Sequence, residues 1–228
     1  MSNKVAGADN QQATLQQVIR PRGSQARWAP GKPRSKEGES SETTRQTPFA
    51  KSEILAYIHG AMHDGSLNKR TRVRIVQRHK SWLEMIRGLL YDIGIRSWIY
   101  REGKLRNVYA LETVSKELNF RFNPLHIRTK PERIMYLRGF FDAEGGIPRN
   151  GKRFYIQLAQ KDYVKMNAVK EVLKEIGIES GKVHNPSKRV DPNYWRIFIL
   201  VKHHRLFAEA IGSWHPIKSK IFSERMKI

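Results

Sequence analysis

Two carboxylates sit where a strongly basic chain has least reason to put them. Asp64 closes the apolar stretch SEILAYIHGAMHDG, and Glu144 closes PERIMYLRGFFDAEGG. Both stretches read as helices, opened near Ser52 and Pro131. A helix carries partial negative charge at its C-terminus, so an acid there is unfavourable unless a cation offsets it. Each helix also has small residues four apart, Ala56 and Gly60 on the first, Gly139 and Ala143 on the second. That spacing makes one stripe along which two backbones can approach closely. Packing the helices about a pseudo-twofold axis brings Asp64 and Glu144 together as one anionic spot. Oxygen ligands of this kind favour Mg²⁺, Mn²⁺ or Ca²⁺. Beside a nucleic acid such ions suit phosphodiester hydrolysis: they stabilise charge on phosphate, activate a water and neutralise the leaving oxygen.

The charge balance names the partner class. The 228 residues hold 43 Lys and Arg against 21 Asp and Glu, a formal net charge of +22. Such an excess points to a polyanion, nucleic acid before an anionic membrane surface. No stretch approaches the roughly 18 apolar residues of a membrane span. The first residues carry no apolar run like that of a secretory signal. There are no cysteines, which excludes disulfides, thiolate metal sites and cysteine nucleophiles. An intracellular location is expected. Residues 1–50, rich in Arg, Ser, Pro and Gly, have little to bury and are expected to be disordered, or to order as an arm along a phosphate backbone.

From Lys51 onward the chain repeats itself. VQRHKSWLEMIRGLLYDIGI, from Val76, matches AQKDYVKMNAVKEVLKEIGI, from Ala159. Gln77 and Gln160 hold one register with the Ile-Gly-Ile tails, and apolar residues recur between them at helical spacing: Trp82, Met85, Ile86, Leu89 and Leu90, then Val164, Met166, Val169 and Leu173. Gly94 and Gly177 are the expected C-terminal glycines. Hairpins lie between each acid and its glutamine, the second with an Asn150-Gly151 turn. Further strands follow each Ile-Gly-Ile, and a last helix is expected near Ser115–Leu118 and Arg205–Ile211. The fold class is therefore α+β: a tandem pseudo-twofold repeat, αββαββα in each half, spanning 51–128 and 129–228, with two antiparallel sheets.

The strands present a polar face above an apolar one. Arg70, Arg72 and Arg74 alternate with Val73 and Ile75; Arg153, Tyr155 and Gln157 alternate with Phe154, Ile156 and Leu158. Arg pairs with guanine and Gln with adenine by two hydrogen bonds, and phosphates attract every cation. Lys104, Arg106, Arg149, Lys152, Lys188 and Arg196 extend the basic surface. Gln77 and Gln160 share the parity of the buried residues but sit at strand ends, at the level of the acids. Each either orders a metal-bound water or substitutes for an N-cap of the following helix.

LRGFFDAEG, Leu137 to Gly145, resembles the LAGLIDADG motif of homing endonucleases, and YIHGAMHDG, Tyr57 to Gly65, is similar to a diverged first copy. The resemblance covers residues 51–228, including HPIK from His215, and is to the single-chain, two-motif branch; it implies that the two antiparallel sheets form a DNA-binding saddle. It implies a monomeric, Mg²⁺-dependent, intron-encoded DNA endonuclease, with Mn²⁺ able to substitute and Ca²⁺ binding without supporting cleavage. The implied substrate is double-stranded DNA with a long, partly asymmetric site, cut across the minor groove to leave short 3′ overhangs. By the same resemblance Asp64 and Glu144 bind the metals, the carbonyls of His63 and Ala143 are co-ligands, and Gln77 and Gln160 order water or metal. Arg78 and Lys161 match peripheral basic positions, and Lys202 matches a family lysine. Asp142 belongs to the motif but is expected to be structural; Met62 replaces it in the first copy. His59 and His63 stand where the family has small residues.

Rival readings are weaker on the residues. His59 and His63 have a zinc-capable spacing but lack a third ligand, so packing is expected. His203 and His204 read as a surface pair. A non-catalytic binder on the same fold, an intron RNA maturase or a DNA-binding regulator, need not keep both acids. An intein-embedded enzyme is not expected, since splicing blocks with a nucleophile at the start and a His-Asn end are missing, and a membrane-surface protein lacks an amphipathic basic helix.

Overall fold

The computed structural model describes residues 47–69, 71–103, 106–149 and 153–226. The proposed arm up to residue 46, the Asn150-Gly151 turn, and Arg70, Lys104 and Lys152 lie outside them. The first half runs α1 (Lys51–Ala61), a 3₁₀ turn (Met62–Asp64), β1 (Gly65–Asn68), β2 (Arg72–Gln77), α2 (Lys80–Asp92), β3 (Ser97–Arg101) and β4 (Tyr109–Thr113). The second runs α3 (Lys130–Glu144), β5 (Gly145–Gly146), β6 (Gln157–Gln160), α4 (Tyr163–Glu175), β7 (Trp195–Phe198), α5 (His204–Ala210) and α6 (Pro216–Met226). The molecule is α+β, with two antiparallel sheets of order β1-β2-β4-β3 and β5-β6-β7.

The repeat is visible in the strand register. Gly65, after the first acid, pairs with Ile75; Gly145, after the second, pairs with Leu158. In both cases the partner lies two residues before the glutamine. The helices after the glutamines end alike. Gly94 and Gly177 take φ of +79° and +85°, a conformation easy only for glycine. Ile95 and Ile178 then donate backwards to the carbonyls of Leu90 and Leu173, satisfying groups the helix leaves unpaired. Thr129 and Glu132 form a capping box that starts α3.

The inner sheet faces (Val73, Ile75, Leu111; Ile156, Leu158, Ile197) pack on α2 and α4, which bury Trp82, Leu83, Ile86 and Leu90, and Met166, Val169, Val172 and Leu173. Val164 is not part of that stripe: it is 75% exposed, because two residues of helix turn it about 200° from Met166. The last helix expected in the first half is also missing; residues 116 and 117 form a turn. Leu118 docks into the core, Asn119 N–H donates to His59 Nε2 at 3.3 Å, and Glu117 pairs with Lys51 at 2.9 Å. These ties draw the segment across α1 instead of letting it coil.

The axis of the molecule is the α1–α3 crossing. A Cβ on Gly60 would collide with the carbonyl oxygen of Tyr136 and come within 2.6 Å of Phe140 N; one on Gly139 would collide with Tyr57 O and come within 2.9 Å of Ala61 N. Gly60 is thus the spatial partner of Gly139, and Ala56, a turn earlier, is buried. The two motifs differ by one residue past that point, since Asp64 is four after Gly60 and Glu144 is five after Gly139. The backbone absorbs the difference. Four α steps from Phe140 to Glu144 rise about 6 Å; three 3₁₀ steps from Ala61 to Asp64 also rise about 6 Å. The tighter turn brings the shorter motif's acid to the same level.

Candidate functional site

Asp64 and Glu144 close the two crossing helices, and each is followed by a glycine that enters a sheet. Burial first, and then the Asp64 carboxylate beside it, push Glu144 up to about 7. Asp64 is open on one side, yet the protein on its other sides raises it as well, opposed by Gln77 and Lys218. Gln77, at the end of β2, donates from Nε2 to Asp64 Oδ2. Gln160, its counterpart on β6, instead donates to His63 Nδ1 at 3.0 Å. Both glutamines therefore converge on the tip of the first motif.

Two tyrosines clasp the helix tips across the axis. Tyr57 on α1 donates to Asp142 Oδ2 of α3 at 2.7 Å, and Tyr136 on α3 meets His63 Nε2 at 2.9 Å. The offset between Tyr57 and Tyr136 equals that between His63 and Asp142, so these are symmetry-related clasps. In space His63, not Met62, stands where Asp142 stands. Asp142 is fully enclosed: Ser213 donates to Oδ1, and the Trp214 N–H to Oδ2 at 3.1 Å. It is a structural acid. Burial, and then Lys165, hold His63 down at about 4, so it stays neutral. His59 is a packing histidine: Nδ1 donates to Leu55 O at 2.8 Å and the ring stacks on Phe122 at 4.1 Å.

The lysine that reaches the acids is Lys218, not Lys202. Lys218 donates to the carbonyls of Phe141 and Asp142 at 2.6 and 2.8 Å, capping the C-terminal end of α3. Burial lowers it to about 8, against the pull of Asp142, Glu144 and Asp64. Lys202 is exposed and pairs with Glu179 at 2.9 Å, and His203 joins the same acid. His204, expected at the surface, is buried and bonds Ile199 O at 3.0 Å. Sequence spacing could not separate the two lysines, because Lys218 arrives from α6, far along the chain.

The sheets' outer faces carry the expected side chains. Arg72 and Arg74 share one face with Trp98 and Tyr100, while Val73 and Ile75 are buried beneath. The two arginines are not free cations: Arg72 pairs with Glu112 at 3.4 Å and Arg74 with Glu102 at 2.7 Å. On the second sheet Gln157 opposes Phe198, and Arg196 lies over the rings of Tyr194 and Phe198. Arg78, Arg106, Arg149, Arg153, Tyr155, Lys161 and Lys188 are exposed. Lys161 is close enough to act on Glu144.

A family model for the LAGLIDADG-like domain matches residues 54–125 and again 131–212, so the chain belongs to that family and carries two copies of its domain. The homing endonuclease I-ApeI of Aeropyrum pernix is 28% identical over 198 residues, 75% of this chain and 86% of its own. The crystal structure of I-DmoI in complex with DNA and Mn superposes with a TM-score of 0.56 at 20% identity, over 72% of this chain and 98% of that one. The N-terminal LAGLIDADG domain of DUF199/WhiA superposes with a TM-score of 0.59 at 15% identity, over 74% and 85%.

Proposed function

We propose that the chain is a site-specific, metal-dependent double-stranded DNA endonuclease that acts as a monomer. The observation that carries this is the carboxylate pair: Asp64 and Glu144 close the two crossing helices, and burial, followed by the charge of Asp64, raises Glu144 to about 7. Two such acids at two helix ends call for positive charge beside them, and a divalent cation supplies it. The donor set fits Mg²⁺, with Mn²⁺ as substitute and Ca²⁺ as a non-cleaving ligand. Both donors are hard oxygens, and among the described residues no cluster of three or more acids and histidines could hold an ion alone. Two carboxylates completed by phosphate oxygens, waters and the His63 and Ala143 carbonyls is the pattern Mg²⁺ accepts. When bound, the ions supply charge stabilisation and a more acidic water.

The protein's own groups do the rest. Gln77 fixes the rotamer of Asp64. Gln160 is held at both ends, its Nε2 donating to His63 Nδ1 and its Oε1 accepting from the Lys161 N–H at 2.7 Å. Lys218 offsets the negative helix end. Arg78 and Lys161 follow the two glutamines and hold backbone phosphates. The outer sheet faces, with Arg72, Arg74, Arg153, Tyr155, Gln157 and Arg196, read a long and partly asymmetric site; scission across the minor groove leaves short 3′ overhangs. I-ApeI, named as a homing endonuclease, and the I-DmoI complexes with DNA and Mn or Ca support this reading. It implies an intron-encoded, intracellular enzyme; no helix among the described residues is long and apolar enough to cross a membrane.

The test uses plasmids carrying intron-free host loci, Mg²⁺ and mapped ends. Asp64→Asn and Glu144→Gln should each abolish cutting while duplex affinity in Ca²⁺ stays within several-fold. Tight binding of DNA or intron RNA with no cutting anywhere would instead assign a binder, either a maturase or a regulator.

A further inference from the structure

Glu112 is the odd residue on the first sheet's outer face. It lies on β4 directly opposite Arg74 on one side and Trp98 on the other. Its side chain is only 3% exposed, yet what covers it is polar. Asn68 donates to Oε1 at 2.6 Å, the Tyr100 hydroxyl to Oε1 at 2.8 Å, and Arg72 Nη1 to Oε2 at 3.4 Å; Arg74 Nε lies 3.6 Å from Oε1. Arg74 is further tied to Tyr100 at 3.3 Å and to Glu102 at 2.7 Å, and Arg72 lies over the Trp98 ring at 5.4 Å. One carboxylate thus gathers side chains from all four strands. Burial works to raise its pKa, but these donors outweigh it and hold Glu112 ionised.

A surface that only needed to attract DNA would gain nothing from an acid there. Free arginines bind any phosphate, and that contact carries no sequence information. An arginine clamped to a carboxylate is different. Each guanidinium has five N–H donors in a rigid fork and commits only part of them to its partner. It resists being drawn off to a phosphate, while its orientation toward a base edge is set before binding. The second sheet lacks this device. Arg196 rests on the rings of Tyr194 and Phe198, and among the described residues no carboxylate pairs with it.

We propose that Glu112 is a specificity-determining positioning residue of the first sheet: it restrains Arg72 and Arg74 from loose phosphate binding and fixes them for base readout. The proposal rests on the DNA-binding reading above.

The experiment selects preferred sequences from a pool of randomised duplexes in Ca²⁺, and measures affinity for the unselected pool against salt. Glu112→Gln keeps the volume and removes the charge. It should tighten binding to the unselected pool by about tenfold at low salt and steepen the salt slope by about one for each arginine freed. The selected sequence should lose sharpness in the half bound by the first sheet and keep it in the other. Glu102→Gln, which releases only Arg74, should do the same in smaller measure, and it decides the matter should Glu112→Gln unfold. Glu209→Gln removes an equal charge from an exposed pair with Arg205 and should change nothing. Unchanged sharpness in the Glu112 variant, loss spread over both halves, or an equal effect of Glu209→Gln overturns the proposal. A wild-type chain that selects no sequence overturns the DNA reading itself, a separate result.

Discussion

Tyr57 and Asp142 meet across the α1–α3 crossing, hydroxyl to carboxylate at 2.7 Å, and the same hydroxyl accepts from Trp82 Nε1 at 2.9 Å. One buried oxygen therefore joins the first helix, the second helix and the acid that anchors residues 213 and 214. Tyr57→Phe leaves Asp142 and Trp82 each short of a partner. Asp142 keeps Ser213 and the Trp214 N–H, but Trp82 Nε1 loses its acceptor; since an unpaired buried polar group costs about 1–3 kcal/mol, chemical denaturation should show a loss in that range. A loss below about 0.5 kcal/mol would show that the clasp is incidental.

The helix crossing has no spare room. Gly139→Ala would place a methyl group against backbone atoms of Tyr57 and Ala61, which no rotamer change relieves. Overpacking typically costs about 1–3 kcal/mol, and a backbone clash belongs at the upper end or beyond. Thermal melts should fall clearly, and duplex affinity with them, because the two sheets are oriented by this crossing. Gly94, which faces open space but has φ of +79°, tests the other kind of glycine: Gly94→Ala should cost only the strain of about 1–2 kcal/mol.

Glu144 gives a pH signature in the metal-free protein. Its folded value, about 7, lies above the ordinary 4.5, so the folded state binds its proton more tightly than the unfolded chain does. Its contribution to stability is complete below pH 4.5 and is lost as pH rises through about 7. Melting temperature without divalent ions should therefore fall across that window, less so in Glu144→Gln. Ca²⁺ binding, which needs the deprotonated acid, should strengthen over the same interval. A melting curve with the same pH dependence in both proteins would remove the carboxylate pair from the account.

Lys218 and Lys202 can be separated by substitution. Lys218→Met should slow cleavage by about tenfold to a hundredfold, as the loss of a group supporting metal ligands does. Lys202→Met should leave the rate within about threefold, since removing an exposed ion pair is worth about 1 kcal/mol or less. The reverse pattern would place the Lys202 side chain at the acids after all.

Much of this site can be read along the chain, because its signals are local. The apolar periodicity that ends on Asp64 and Glu144, the shared register of Gln77 and Gln160, the alternation of Arg72 and Arg74 with Val73 and Ile75, and the glycines at 94 and 177 each express the geometry of one helix or one strand. Those features carry the repeat and the α+β class, and they set Asp64 and Glu144 at the ends of two helical segments. What the linear sequence could not express is pairing between elements. A one-residue difference between the motifs is invisible as a change of helix type until Gly60 meets Gly139 and a 3₁₀ turn lifts Asp64 level with Glu144. The same offset makes His63 the counterpart of Asp142, where residue counting pointed to Met62. Lys218 rather than Lys202 lies at the end of α3 because the chain from α6 returns to cap it, and Glu112 is the hub of the arginine face because four strands lie side by side. Periodicity is set by backbone geometry and survives in the sequence. The partner of a side chain is set by long-range packing, and only the folded chain chooses it.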